Sequence, residues 1–267
     1  MLSGPEARLV HGLRRRKVRE SQGLFLAEGS RVAEELLATP IVLRLALVSS
    51  SLGDTERGRG LRAALAARTP VREVSEAELG RLSATQTPQG AVVVAEIPRL
   101  DLPWPDARAT ALVLDAVQDP GNLGTLARIA RAFGISWIAG LPGTVDAWNP
   151  KAVRASAGAL FHVPVVYEPW VELRDRAQRS GFTVVGASAG GLPIARYRRP
   201  DRVALVLGNE GVGLRPEIRA DLAATVAVPM RPGSESLNVA TAAAVLAYAL
   251  TLDDVMDASG AAPGGVD

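Results

Sequence analysis

The sequence predicts an α/β protein in which a parallel sheet covered by helices is preceded by a smaller α/β domain. Three observations predict it. Strand-like and helix-like segments alternate from about residue 109 to residue 255. The run Ala111-Leu112-Val113-Leu114-Asp115 is apolar without alternation, as in a strand buried on both faces. Finally, Pro98, Pro103 and Pro105 crowd one short stretch, removing amide donors and disfavouring helix before each ring. Residues 98–108 therefore read as a linker between domains at 1–97 and 109–255. Residues 256–267 lack apolar periodicity and read as a disordered tail.

In the first domain, Arg8 to Arg19 reads as one basic helix and Gly23 to Glu28 as a strand. Ser30 can cap a helix whose apolar Val32, Ala33, Leu36 and Leu37 recur at helical spacing. A strand over Leu43–Val48, a helix over Leu61–Arg68 and a short strand over Val71–Val74 follow. Ser75-Glu76-Ala77-Glu78 is a capped helix start, and Ala91–Ile97 is a closing strand. In the second domain a helix over Leu123–Phe133 ends at Gly134. Strands follow near Trp137–Ala139, Pro164–Tyr167, Phe182–Gly186, Val203–Leu207 and Thr225–Val228, and Ala240–Leu252 is a final amphipathic helix.

Composition narrows the chemistry. The 267 residues hold no cysteine and two histidines, His11 and His162, which excludes thiolate catalysis and disfavours His-based metal sites. No metal is expected. His162, between Phe161 and Val163, reads as a packed core or edge histidine. The net charge is +2, and Lys17 and Lys151 are the two lysines, so the basic character is almost wholly arginine. No unbroken run of eighteen apolar residues occurs, and the N-terminus lacks a signal-peptide core. A soluble, cytoplasmic protein with no membrane span is expected.

Three polar turns follow strands of the second domain, where open α/β sheets bind ligands. They are Asp119-Pro120-Gly121-Asn122-Leu123-Gly124, Leu207-Gly208-Asn209-Glu210-Gly211-Val212-Gly213-Leu214, and Val228 to Asn238. Closely spaced glycines let a ligand approach the backbone. Neither a dinucleotide fingerprint nor a P-loop is present. Each turn also has a plainer reading. Asn122 can cap its helix, Glu210 can be solvated, and Ser236-Leu237-Asn238 can simply start the last helix.

Taken together and in order, Asn122-x-Gly124-x-x-x-Arg128-x-Ala130, Leu207-Gly208-Asn209-Glu210-Gly211-x-Gly213-Leu214, and Val228-Pro229-Met230 with Glu235-Ser236-Leu237-Asn238-Val239-Ala240 resemble the three motifs of the SpoU/TrmH family. Pro150 to Gly158 resembles a further segment common in that family. These are RNA 2′-O-ribose methyltransferases of the SPOUT superfamily. The first domain, through Leu24 to Gly29 and Thr87-Pro88-Gln89-Gly90-Ala91-Val92, resembles an L30e-like substrate-binding module.

The resemblance implies a deep trefoil knot, a homodimer, S-adenosylmethionine as cofactor and RNA as substrate. It implies cofactor contacts from Ala187, Gly208, Gly211, Val228, Met230 and Leu237. It implies that Arg128 acts near the target hydroxyl, as a positioning and charge-stabilising group or as a general base, with Asn122, Glu210, Ser236 and Asn238 as the remaining catalytic polar set. Arg14, Arg15, Arg16 and Lys17 are expected on RNA phosphate, although such a cluster can also be a solvated face. Arg154 fits an RNA phosphate or a structural ion pair equally well. Ribosomal RNA of the 23S type is the first expectation. Transfer RNA, a non-catalytic assembly factor of the same fold, and a small-molecule methyltransferase are the alternatives.

Overall fold

The computed structural model describes residues 2–83 and 90–259. The chain divides into two compact units, Met1–Arg99 with Asp146–His162, and Leu100–Val145 with Val163–Asp267.

The first unit opens with α1 (Gly4–Gly12) and α2 (Arg16–Gln22), where one basic helix was expected. At α1 a capping box operates, with the Glu6 amide donating to Ser3 Oγ and the Ser3 amide to Glu6 Oε2. The break between the helices has a physical cause. Arg15 is extended, and the buried Arg19 donates from Nη1 to the carbonyls of Leu13 and Arg14, both at 2.9 Å. Gly23, at φ 64°, then ends α2. Next come β1 (Leu24–Glu28), α3 (Ser30–Leu37), β2 (Leu43–Ser49), α4 (Glu56–Ala66), β3 (Val71–Val74), α5 (Glu76–Leu82) and β4 (Ala91–Glu96). The sheet order is β1-β4-β2-β3, antiparallel except for the β2–β3 pair. Val10, Leu13, Leu26, Leu47, Leu79 and Val94 are among the residues that form its core.

The second unit starts earlier than the linker reading allowed. Leu102 is buried, and the Trp104 ring packs at 5.0 Å from Trp137 and 5.5 Å from Phe182. Apolar burial thus captures half of the proline-rich stretch. β5 (Ala109–Leu114), α6 (Pro120–Ala132) and β6 (Ile138–Gly140) follow. The chain then supplies α7 (Pro150–Ala155) to the first unit. There Trp148 and Phe161 stack on Phe25 of β1, at 4.6 and 5.8 Å, and Arg19 meets Asp146 at 2.5 Å. A boundary at residues 98–108 alone is therefore incomplete. His162 takes the edge position among its readings, its half-buried side chain lying 3.2 Å from Glu35.

Back in the second unit, β7 (Val165–Tyr167), α8 (Trp170–Arg179), β8 (Thr183–Pro193), β9 (Arg202–Leu207), α9 (Pro216–Ala220), β10 (Ala224–Ala227) and α10 (Val239–Ser259) complete the chain. All pairs in the sheet β10-β8-β9-β5-β6-β7 are parallel, as the apolar strands predict. In the β8–β10 ladder, Thr225 pairs with Gly186 but Val226 with Leu192, so Ala187 to Gly191 loop out of register. The expected tail is helical through Ser259, and its residues 260–267 lie outside the described residues, as do Thr87, Pro88 and Gln89. α10 also corrects the reading of the chain's apolar runs. Val239–Met256 has a mean hydropathy of 1.5, enough by length and composition for a membrane span, although Thr241, Thr251, Asp253 and Asp254 interrupt the run. Its Ala243, Leu246, Ala247 and Leu250 are buried, however, as on a core helix.

Candidate active site

The three polar turns meet at the C-terminal ends of the second unit's strands. The second and third border a cavity of about 460 Å³, a size typical of small-molecule sites, and the first is tied to them through Asn122. Ala187, Gly208, Gly211, Val228, Met230 and Leu237 all line it, and so do Glu210, Ser236 and Asn238. Leu207, Val226 and Leu246 give it apolar walls, while the glycines leave backbone accessible.

Local sequence explains this convergence. The Asn209 side chain accepts from the amides of Gly211 and Val212 and donates to the Ala116 carbonyl at 2.8 Å. That clasp folds the second turn back on itself and ties it to the end of β5. The turn's far end is fixed by the fully buried Asp115, which accepts from the Arg215 amide at 2.8 Å and from Arg215 Nε at 2.5 Å. A charge as deeply buried as Asp115 requires such partners. Asn209 stands within the second motif, but its residue type alone did not assign it this role. Asp115 and Arg215 carried no spacing signal that paired them.

The plainer readings of the turns are resolved by their hydrogen bonds. Asp119, not Asn122, caps α6, accepting from the amides of Gly121 and Asn122. The Asn122 side chain is left to donate to Glu210 Oε1 at 2.9 Å, while its own oxygen accepts from Asn238 Nδ2 at 3.1 Å. Asn238 also caps α10, its Oδ1 accepting from the amide of Ala240. One chain of hydrogen bonds thus joins all three turns. Partial burial pushes the Glu210 carboxyl upward, but hydrogen bonds from Asn122 and from the Glu210, Gln118 and Asp119 amides outweigh it and hold the group below its ordinary value. Glu210 is ionised at neutral pH.

Not every expected residue joins this network. Arg128 lies exposed on α6, outside the cavity lining. Arg14 is committed to the fold through Nη2, which donates to the carbonyls of Arg81 and Ser83. Arg16 pairs with Glu20 at 2.6 Å, and Arg15 and Lys17 are exposed. Arg154 pairs with the buried Glu28 at 3.3 Å, the structural alternative of its two readings. Arg219 lines the cavity although no motif pointed to it.

The cavity fits the cofactor that the motifs imply. A flat adenine needs apolar walls and accessible backbone, and Leu207, Gly208, Val226 and Leu237 offer both.

Comparison with known proteins agrees with the motif order. The SpoU rRNA Methylase family model matches residues 109–248, and that of the MRM3-like substrate binding domain matches residues 5–93. The chain is 35% identical over 245 residues to the 23S rRNA (guanosine(2553)-2'-O)-methyltransferase RlmP of Bacillus subtilis (strain 168), covering 89% of this chain and 92% of that protein. It superposes with a TM-score of 0.86 on the SpoU methyltransferase AviRb from Streptomyces viridochromogenes in complex with AdoMet, at 26% identity over 95% of this chain and 99% of the other. The AdoMet-bound rRNA methyltransferase from Sinorhizobium meliloti gives a TM-score of 0.84, at 26% identity over 95% and 97%. With a family model matched over more than half its length and a relative matched nearly end to end, the chain belongs to the SpoU rRNA methylase family.

Proposed function

We propose that this protein transfers a methyl group from S-adenosylmethionine to a ribose 2′-hydroxyl of 23S-type ribosomal RNA. The observation that carries the reading is the Asn238–Asn122–Glu210 hydrogen-bond chain at a cavity lined by all six expected cofactor residues. The names of the relatives support both the rRNA target and the cofactor. When bound, the cofactor supplies an electrophilic methyl group on its sulfonium.

The chain's own residues do the rest. The backbone around Gly208 and Val228 and the side chain of Leu237 hold the adenosine part. Asn122 and Asn238, each fixed by the other, orient the ribose, and Ser236 offers it a hydroxyl. Glu210 locks Asn122 in one amide orientation. Arg128 stabilises negative charge on the attacking oxygen through its planar set of N–H donors. The hydroxyl proton passes to an RNA phosphate oxygen or to solvent. Holding reactants in line supplies about 7–11 kcal/mol of such a barrier.

The test is methyl incorporation from labelled S-adenosylmethionine into separate pools of unmodified rRNA and tRNA, followed by mapping of the ribose. Incorporation into rRNA is expected. Cofactor binding with no incorporation into either pool would leave a non-catalytic RNA-binding protein, and incorporation confined to tRNA would reassign the substrate.

The reading extends to the fold, the assembly and the location. We assign the second unit a deep trefoil knot, on the resemblance of its three motifs to those of the SpoU/TrmH family. We assign an L30e-like RNA-binding role to the first unit and a cytoplasmic location to the protein, to be checked by cell fractionation. A homodimer is supported by the apolar outer face of α10, where Val245 and Tyr248 are exposed and Phe133 lies 5.9 Å from the Tyr248 ring. Exchanging Val245 and Tyr248 for glutamate is expected to halve the mass measured by light scattering. An unchanged mass would move the interface elsewhere.

RNA affinity is assigned to Arg15, Arg16 and Lys17. Arg14 is left out because its removal would also break its bonds to Arg81 and Ser83. Replacing the three with alanine is expected to weaken RNA binding and to flatten its log–log salt dependence by about 0.7–0.9 for each phosphate that is no longer neutralised. Superimposable salt titrations of variant and wild type would return the cluster to a solvated face.

A further inference from the structure

We propose that Arg219 binds the carboxylate at the amino-acid end of S-adenosylmethionine, an inference that rests on the functional reading above. The cavity lining carries one acidic and one basic side chain, Glu210 and Arg219. Glu210 is committed, accepting from Asn122 at 2.9 Å. Arg219 is not, for its guanidinium makes no hydrogen bond or ion pair among the described residues.

The backbone that carries Arg219 is held on both sides. Before it, Arg215 is pinned to the buried Asp115, and Ile218 is fully buried. After it, Asp221 accepts from Trp170 Nε1 at 2.8 Å and from Arg174 Nη1 at 3.0 Å. A fixed stub therefore sets an exposed side chain with an uncommitted guanidinium at the border of a cavity whose other walls are neutral or already hydrogen-bonded. A planar fork of N–H donors matches a carboxylate bidentately. The neutral walls suit an adenosine, and the single free cation suits an acid at the other end of the same ligand. An RNA phosphate is the competing partner, but Arg219 borders the cavity that the six cofactor residues define.

Calorimetry on the full chain separates these partners with two ligands. S-adenosylhomocysteine and 5′-methylthioadenosine share the adenosine and the thioether sulfur, and only the first carries the amino-acid carboxylate. Arg219→Gln is expected to weaken S-adenosylhomocysteine binding about tenfold, a loss of ~1.4 kcal/mol, and to change methylthioadenosine binding less than twofold. Arg219→Lys should recover part of the loss, since it keeps the charge without the fork. Equal losses for both ligands, or no loss for either, would overturn the assignment. No loss for either combined with weaker RNA binding would give Arg219 to a phosphate. If wild-type protein bound neither ligand, the methyltransferase reading itself would fall, which is a different result from any change produced by the variants.

Discussion

Replacing Arg128 with alanine is expected to slow methyl transfer by about 10²–10³-fold in single turnover, the usual cost of removing one electrostatic contact to a charge that develops in the transition state. The structure makes this substitution a clean one. Arg128 is exposed, lies outside the cavity lining and makes no ion pair among the described residues, so its removal should leave thermal stability and cofactor affinity nearly unchanged. Loss of rate can then be read as loss of chemistry. Arg128→Lys should recover only part of the rate, because a lysine retains the charge but not the paired donors. A rate within a few-fold of wild type, at saturating cofactor and RNA, would remove Arg128 from the reaction.

The second large effect is expected at Gly208. The glycine spacing of this turn reads as leaving the backbone open to a ligand, and the structure adds a steric cause. A Cβ at this position would stand 2.4 Å from the Gly213 carbonyl carbon and 2.5 Å from the Leu214 amide nitrogen. No side-chain rotation relieves a clash with backbone, so the turn clasped by Asn209 must open. Gly208→Val is expected to weaken S-adenosylhomocysteine binding by about 10²-fold, the scale set by ångström misplacements in a site, with a stability loss of about 1–3 kcal/mol. Gly190→Ala is the control, since a Cβ there would find nothing within 4 Å and Gly190 is not among the cavity-lining residues. Calorimetry and thermal melts of both variants decide the matter. Equal affinities for Gly208→Val and wild type would show that the turn does not shape the cavity.

What could be read from the sequence follows from how local each cause is. The strands of the second unit were legible because burial on both faces leaves an uninterrupted apolar signature in runs such as Ala111–Leu114. The residues at the cavity were legible because glycines and amides at strand ends serve ligands through the backbone. Long-range pairings left no such trace. Nothing near Arg19 announces Asp146, and nothing near Asp115 announces Arg215, yet the first pair ties α2 to a segment far along the chain and the second anchors the second turn. The sequence offers Asn122 as the cap because it starts the helix at Leu123, but α6 starts at Pro120 and Asp119, an equally good cap residue, takes that place. Only the partner across the fold, Glu210, shows which of the two is free for other work.

The contribution of Asp146–His162 to the first unit bears on how the protein can be made and dissected. A fragment ending at residue 99 would lack Trp148 and Phe161, leaving the Phe25 ring uncovered, and Arg19 without its carboxylate. Such a fragment would expose apolar surface and strand a buried cation, so it should aggregate or melt at low temperature. The same holds during synthesis. As the chain leaves the ribosome, the N-terminal unit stays unfinished until residue 162 has emerged, with all of β5, α6 and β6 translated in between. The two units are consequently neither independent genetic cassettes nor independent folding episodes, and shuffling the first unit between relatives would require moving two separated segments of coding sequence together.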